Sequence, residues 1–225
     1  MEVNESPRHG DGEVKKTHMH LVCSDLEGIF LPEIWIKFAE KTGIQELRLT
    51  TRDISDYDVL MQHRLKILKQ HGLKLADIQA VIATMDPLEG ALEFLDWLRS
   101  VTQILVVSDT FVQFAGPLMQ KLGFPTLLCN SLAVAADGTI DTYVMRQKDG
   151  KKKVAHAMQS LNYTVIGVGD SYNDIAMLQA ADHGILYRPP ENVQRQYPAF
   201  PVASGFGELK GMIQSIIGGD GGGQP

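Results

Sequence analysis

Three short apolar runs in this 225-residue chain each end in a group of oxygen-bearing side chains. Leu21-Val22-Cys23-Ser24 leads into Asp25-Leu26-Glu27-Gly28. Gln103-Ile104-Leu105-Val106-Val107 leads into Ser108-Asp109-Thr110, and Tyr163-Thr164-Val165-Ile166-Gly167-Val168 into Gly169-Asp170-Ser171-Tyr172-Asn173-Asp174. An apolar run bounded by turn-forming residues reads as a buried strand, and open α/β sheets bind ligands beyond the carboxyl ends of their strands. An aspartate delivered there can act as metal ligand, base or nucleophile. Glu27, two positions beyond Asp25, is close enough to move a proton for chemistry at Asp25. Alone, Asp-x-Glu-Gly also fits a solvated turn. The two further acidic or hydroxylated strand ends favour chemistry.

If the three strands are neighbours, Asp25, Glu27, Asp170 and Asp174 crowd together, and such a concentration of charge needs a cation. Oxygen donors with no nearby His or Cys cluster point to Mg²⁺. A metal beside a carboxylate suits phosphoryl transfer, where catalysis is mainly positioning and neutralisation of charge. Ser108 is expected at the start of a helix, offering its hydroxyl and N–H to phosphate oxygens. One lysine of the 148–153 segment would add a positive charge, and the others read as a solvated face.

The elements that must position these residues follow from periodicity. Residues 33–42 place Ile34, Trp35, Phe38 and Ala39 on one helix face, with Gly43 as a stop. A second helix is expected over 56–70, with the stripe Tyr57, Leu60, Met61, Leu65 and Leu68. Arg64 falls within that stripe. Its guanidinium cannot shed its proton, so it either meets an anion or snorkels to water. A third helix spans 75–84. From Pro87 onward helices and strands alternate: a helix through Leu88, Ala91, Leu92, Leu95 and Leu98, a strand at 103–107, a helix at 111–122 closed by Gly123, and an apolar run at 126–129. Asp137-Gly138 suggests a hairpin. A helix at 151–160, a strand at 163–168, a helix at 173–180, a last strand at 184–187 and a helix at 208–217 complete the pattern. This is an α/β chain with a parallel sheet covered on both faces, interrupted after its first strand by a helical insertion.

Composition narrows the classes. Apolar residues are 44% and charged residues 21%, ordinary for a soluble globule, and the net charge of −6 provides no basic surface for nucleic acid or anionic lipid. No apolar run approaches membrane-spanning length and no signal-peptide segment opens the chain, so a cytoplasmic protein is expected. Cys23 and Cys129 lie in apolar runs and read as buried thiols, not a disulfide. Residues 1–18 and 218–225 read as disordered tails, and Met19 is an alternative start to Met1. His18 and His20 flank Met19 without a third ligand nearby.

The order of these motifs resembles the haloacid dehalogenase-like phosphatase superfamily: a strand-end Asp-x-Asp, a strand-end Ser or Thr, a lysine, and Gly-Asp-x-x-x-Asp. The resemblance covers roughly residues 19–217. It implies a Rossmann-like core at 19–32 and 87–217 with a small helical cap at 33–86. It also implies a phosphorylated Asp25, with Mg²⁺ held by Asp25, the Glu27 backbone carbonyl and Asp170, and Asp174 in the same cluster. Glu27 departs from the usual Asp. With Pro32-Glu33-Ile34-Trp35, Thr50-Thr51-Arg52-Asp53-Ile54, Asp56-Tyr57-Asp58-Val59-Leu60-Met61 and Pro190-Glu191-Asn192-Val193, the chain is similar to the bacterial phosphoserine phosphatases that also act as homoserine phosphotransferases.

That group implies that Glu33 and Arg64 hold the amino and carboxylate groups of O-phosphoserine. Ser108, Asp109, Asn173 and Lys151, with Lys148 as the alternative lysine, complete the substrate site. Glu27 protonates the departing serine and then activates water or homoserine. Another small phosphate ester is the alternative substrate, a non-catalytic metal-binding protein a distant third reading, and a homodimer stays open. Under this reading activity vanishes in EDTA and returns with Mg²⁺. Ca²⁺ supports it poorly, because its looser and larger coordination disturbs in-line geometry. A phosphate-release assay checks this, and full activity in chelator contradicts it.

Overall fold

A computed structural model of the protein describes residues 19–51, 53–54 and 56–219. Seven strands, β1 (Met19–Ser24), β2 (Gln103–Phe111), β3 (Leu127–Val134), β4 (Ile140–Val144), β5 (Tyr163–Gly169), β6 (His183–Tyr187) and β7 (Val202–Ala203), form one sheet in the order β4-β3-β2-β1-β5-β6-β7. All pairings are parallel except β3 with β4. The chain lays β2 to β4 on one side of β1 and then crosses to place β5 on the other. The crevice beyond the carboxyl end of β1 is therefore a topological switch point.

Among the described residues nine α-helices accompany the sheet: α1 (Ile34–Thr42), α2 (Tyr57–Gln70), α3 (Leu75–Ile82), α4 (Ala91–Val101), α5 (Val112–Lys121), α6 (Gly150–Ser160), α7 (Ile175–Ala180), α8 (Glu191–Gln196) and α9 (Phe206–Gly219). Successive strand residues feed opposite layers. Leu21, Cys23, Val107 and Leu186 pack with Val154 of α6 and Met177 of α7, whereas Val22, Val106 and Ile185 join the larger core with α1 to α5 and α9. Burial on both faces is why these strands read as continuous apolar runs. Phe30, Phe94, Phe206 and Tyr187 stack in series at 6.4, 4.8 and 5.0 Å, tying the loop after β1 to α4, α9 and β6.

Several boundaries differ from the sequence pattern. β2 does not stop at Val107. Val107 pairs with Leu128 and Phe111 with Asn130, so a four-residue step on β2 faces a two-residue step on β3. Ser108 thus lies in a bulge inside the strand, not at a helix start, since α5 begins at Val112. Bulges re-aim side chains, and this one turns the motif towards the crevice. The strand at 183–187 is not the last: β7 follows it, too short to show alternation. Helix α8 and a 3₁₀ turn at Gln45–Arg48 are likewise below the length at which periodicity is visible. Gly218 and Gly219 close α9 instead of opening a tail, and the tail expected at 1–18 and the rest of that at 218–225 lie outside the described residues. Both cysteines are free and buried, and among the described residues no helix is long and apolar enough to cross a membrane.

Helices α1 to α3 lie between β1 and β2 in the chain, and α3 is held to α5 and to the turn between β3 and β4 by specific bonds. Pro117 inside α5 has no N–H, so the carbonyl of Gln113 four residues earlier lacks its helical donor. Gln79 Nε2 of α3 donates to that carbonyl at 2.8 Å. The hairpin turn at Asp137-Gly138 is held in the same way, by Lys74 Nζ on the Asp137 carboxylate at 3.0 Å and Leu75 N–H on the Gly138 carbonyl at 3.0 Å. Gln79→Ala should destabilise the protein by about 1 kcal/mol. In a Pro117→Ala background the same change should cost much less, because the restored N–H satisfies Gln113. Urea melts of the four proteins of this double-mutant cycle check it.

Candidate active site

Asp25 directly follows β1 and extends its ladder, its N–H donating to the Val168 carbonyl at 3.0 Å. Its Oδ1 accepts the N–H of Leu26 at 2.7 Å, and its Oδ2 lies 2.9 Å from Lys151 Nζ. Lys151 sits in the first turn of α6, 5% exposed, with Nζ also 2.7 Å from Asp174 Oδ1 and 3.7 Å from Asp109 Oδ2. Burial alone would lower its pKa, but the carboxylates of Asp174, Asp25 and Asp109 outweigh it and hold the ammonium charged. Lys148 is exposed at the surface.

Asp174 is fully buried, and its Oδ2 accepts the N–H groups of Asp170 at 2.9 Å and Ser171 at 3.1 Å. Both of its oxygens are therefore committed, one to the lysine and one to the loop that carries Asp170. A Cβ on Gly169 would stand 2.3 Å from the Asp174 Cβ, so only glycine lets this loop close.

Carboxylate oxygens of Asp25, Asp170 and Asp174 all lie within 4.8 Å of one another. One ammonium does not balance three carboxylates. Burial raises the Asp25 carboxyl above its usual range, Lys151 opposes this, and the charges of Asp174 and Asp170 add to the rise. A buried, oxygen-only, negatively charged cluster fits a divalent cation. The Glu27 carboxylate stands outside the cluster: its Oε2 accepts the N–H of Ile34 at the start of α1, at 2.8 Å. Burial first, and then the charge of Glu33, push Glu27 up to about 8, against the Ile34 N–H, Arg64 and Lys151. The shift favours the protonated form, the state an acid requires.

The wall opposite the strand ends is built by the helical insertion. A cleft of about 70 Å³ is lined by Asp25, Glu27, Ser108, Asp109, Asp170 and Asn173 from the core side and by Glu33, Trp35, Tyr57 and Arg64 from the helices. Arg64 is buried and does not snorkel. Its guanidinium stacks 4.5 Å over the Trp35 ring and Nη2 donates to the Leu49 carbonyl at 2.9 Å, while Nε is buried with no hydrogen-bond partner. Burial lowers its pKa to about 10, with Tyr57, Glu27 and Glu33 opposing, so it remains cationic. Asn173 Nδ2 donates to Asp109 Oδ2 at 3.0 Å, and Ser108 Oγ accepts the Thr110 N–H at 3.2 Å.

All the candidate catalytic, substrate and metal residues therefore meet at one crevice except Lys148, and His18 lies outside the described residues. Sequence reasoning missed Trp35, Tyr57 and Thr110 as cleft residues. Trp35 and Tyr57 looked like core because they sit on apolar stripes, and the buried, unpartnered Thr110 hydroxyl had no signal of its own.

A switch-point crevice carrying an aspartate–lysine pair, a three-carboxylate cluster that fits a divalent cation and an overlying helical wall is the arrangement of an α/β enzyme site. A family profile for haloacid dehalogenase-like hydrolases matches residues 33–179. Over 192 residues the chain is 58% identical to a phosphoserine phosphatase of Pseudomonas syringae pv. tomato, covering 85% of this chain and 81% of that one. It is 57% identical over 192 residues to phosphoserine phosphatase ThrH of Pseudomonas aeruginosa, covering 85% and 94%. A phosphoserine phosphatase structure from T. onnurineus superposes with a TM-score of 0.67 at 21% identity, over 91% of this chain and 98% of that one, a likeness of fold. The chain belongs to the haloacid dehalogenase-like hydrolase family.

Gly28 connects the two ends of the cluster. Its φ is +80°, and a Cβ there would stand 2.5 Å from Asp170 Oδ2. Gly28→Ala should displace that carboxylate and weaken divalent-cation binding by about 10- to 100-fold, the usual cost of disturbing a ligand's support. Calorimetric titration reads the affinity, and circular dichroism verifies that the fold persists.

Proposed function

We propose that this protein is a Mg²⁺-dependent phosphoserine phosphatase that works through a phosphorylated Asp25. One observation carries the substrate: a buried arginine with an unpartnered Nε faces the same cleft as the lysine-bound aspartate. A general phosphatase needs only the strand ends. A guanidinium held by Trp35 and Leu49, with donor capacity left over, calls for a carboxylate on the substrate, and Glu33 in the same cleft suits its ammonium group. The names of the 57–58% identical relatives support the same reading.

In this reading Asp25 attacks the phosphorus in line with the ester oxygen. Lys151 draws charge from the phosphoryl oxygens, and Ser108 and Asn173 orient them. Glu27 passes its proton to the departing serine oxygen and then removes one from the incoming water. Mg²⁺, held by Asp25, Asp170 and the Glu27 carbonyl beside Asp174, would neutralise charge on the transferring group. Homoserine presents the same amino and carboxylate groups, so it can take the place of water and receive the phosphoryl group. Helices α1 to α3 act as a cap over residues 33–86, opening to exchange reactants and closing to exclude water. Free, buried thiols suit a reducing, cytoplasmic setting.

The test is a comparison of two esters. Arg64→Met should lower kcat/KM for O-phosphoserine by about 10- to 100-fold, the range for losing charged hydrogen bonds, and leave phenyl phosphate nearly unchanged. Asp25→Asn should be inactive on both. Equal losses on the two esters for Arg64→Met would remove the argument for an amino-acid substrate.

A further inference from the structure

We propose that Tyr57 is a positioning residue that locks α2, and with it Arg64, onto the phosphoryl end of the cleft by way of the Asp109 main chain; the proposal rests on the phosphoserine reading above. Tyr57 opens α2 immediately after Asp56, whose carboxylate caps the helix by accepting the Val59 N–H at 3.1 Å. Its hydroxyl donates to the Asp109 carbonyl at 3.0 Å, a bond between the helical insertion and β2. That carbonyl lies in the bulged stretch between the Val107 and Phe111 pairings, where the regular ladder to β3 is broken. It is instead satisfied by side chains: Tyr57 on one side, and Asn130 Nδ2 at 3.3 Å on the other. Asn130 is itself fixed, its Oδ1 accepting the Arg146 N–H at 3.0 Å.

The residue held in this way belongs to the chemistry. The Asp109 carboxylate accepts from Asn173 at 3.0 Å and faces Lys151 at 3.7 Å. The other end of the link is the substrate's carboxylate site. Arg64 lies seven residues, or two helical turns, beyond Tyr57 on the same face of α2. The ring is aimed by packing, edge-on to Tyr143 at 5.6 Å and 86°, and the Tyr143 hydroxyl donates to the Asp58 carboxylate. Burial and the nearby Asp109 charge keep the Tyr57 phenol protonated and able to donate. One hydroxyl thus sets the distance between the groups that grip the amino-acid end and those that grip the phosphoryl end. Positional errors of this kind cost rate even when every contact residue is present.

Tyr57→Phe keeps the ring and removes the bond. Tyr143→Phe is the second variant, breaking the neighbouring contact to Asp58 without touching Asp109. Three readouts are taken on each: thermal melting, kcat/KM on O-phosphoserine and phenyl phosphate, and hydrogen exchange of the α2 amides. For Tyr57→Phe we expect wild-type melting, faster exchange in α2, and an about three- to tenfold loss on phosphoserine, the scale of one hydrogen bond. Phenyl phosphate, which has no carboxylate for Arg64, should lose less than about twofold. Tyr143→Phe should leave the ratio between the two esters at its wild-type value. Equal losses on both esters, or wild-type turnover of phosphoserine, overturn the proposal. A wild-type protein inactive on phosphoserine overturns the functional reading instead; unchanged α2 exchange in Tyr57→Phe then overturns the lock as well.

Discussion

The Lys151 ammonium, buried against Asp25 and Asp174, is the interaction on which the rest of the site depends. Isolated, either partner would be expensive to desolvate, and a buried pair returns that cost only with good geometry and further hydrogen bonds. The further bonds are present. Asp174 gives its second oxygen to two backbone N–H groups, and Asp25 gives Oδ1 to Leu26. The ammonium therefore joins three segments far apart in the chain: the end of β1, the start of α6 and the turn after β5. It also leaves the site short of positive charge, because three carboxylates outnumber one lysine. That deficit suits a divalent cation, whose charge the proposed phosphoryl transfer would draw on.

Close steric limits keep this charge arrangement in register. Gly28 passes against Asp170 and Gly169 against Asp174 at distances that exclude any side chain. Two of the three carboxylates are thus placed by the backbone of neighbouring strands. The β2 bulge does comparable work on the third strand, releasing Ser108 and Asp109 from the ladder and turning them to the crevice. The opposing wall is helical. Its helices share the main hydrophobic core with the sheet and are further tied to α5 and β2 by side-chain bonds such as Gln79 to Gln113 and Tyr57 to Asp109. In the proposed reaction the strand ends supply the fixed charges and the helical wall supplies contacts to the substrate. Phosphoryl transfer needs fixed charges, whereas substrate exchange needs motion.

Glu27 shows how location outside the three-carboxylate cluster creates a distinct electrostatic setting. Its longer side chain reaches away from Asp25, Asp170 and Asp174 to the first N–H of α1. There desolvation first, and then the charge of Glu33, raise it to about 8. Two acids only two residues apart thus occupy different electrostatic settings: Asp25 is paired with a lysine, and Glu27 is shifted towards its protonated form. The separation depends on the helix packing its N-terminus over the loop.

What the chain alone determined were features carried by local pattern. The buried strands are visible because both sheet faces are covered, making Leu21 to Cys23 and Val165 to Val168 continuous runs without a polar side chain. Asp25, Ser108 and Asp170 were identifiable because they end such runs, and sheet topology sends strand ends to one edge. Arg64 stood out because a charge sat in an apolar stripe, though the stripe could not say whether it snorkelled. Only the tertiary structure decided that it is buried, stacked on Trp35 and left with an unpartnered Nε. It likewise selected Lys151 over Lys148 as the lysine that reaches Asp25, moved Ser108 from a helix start into a bulge, and turned Tyr57 from a core residue into a bridge to Asp109. These outcomes share a physical cause. Periodicity records which side of an element faces inward, but the partner on that side comes from a distant segment, and its distance and donor geometry exist only once the elements pack.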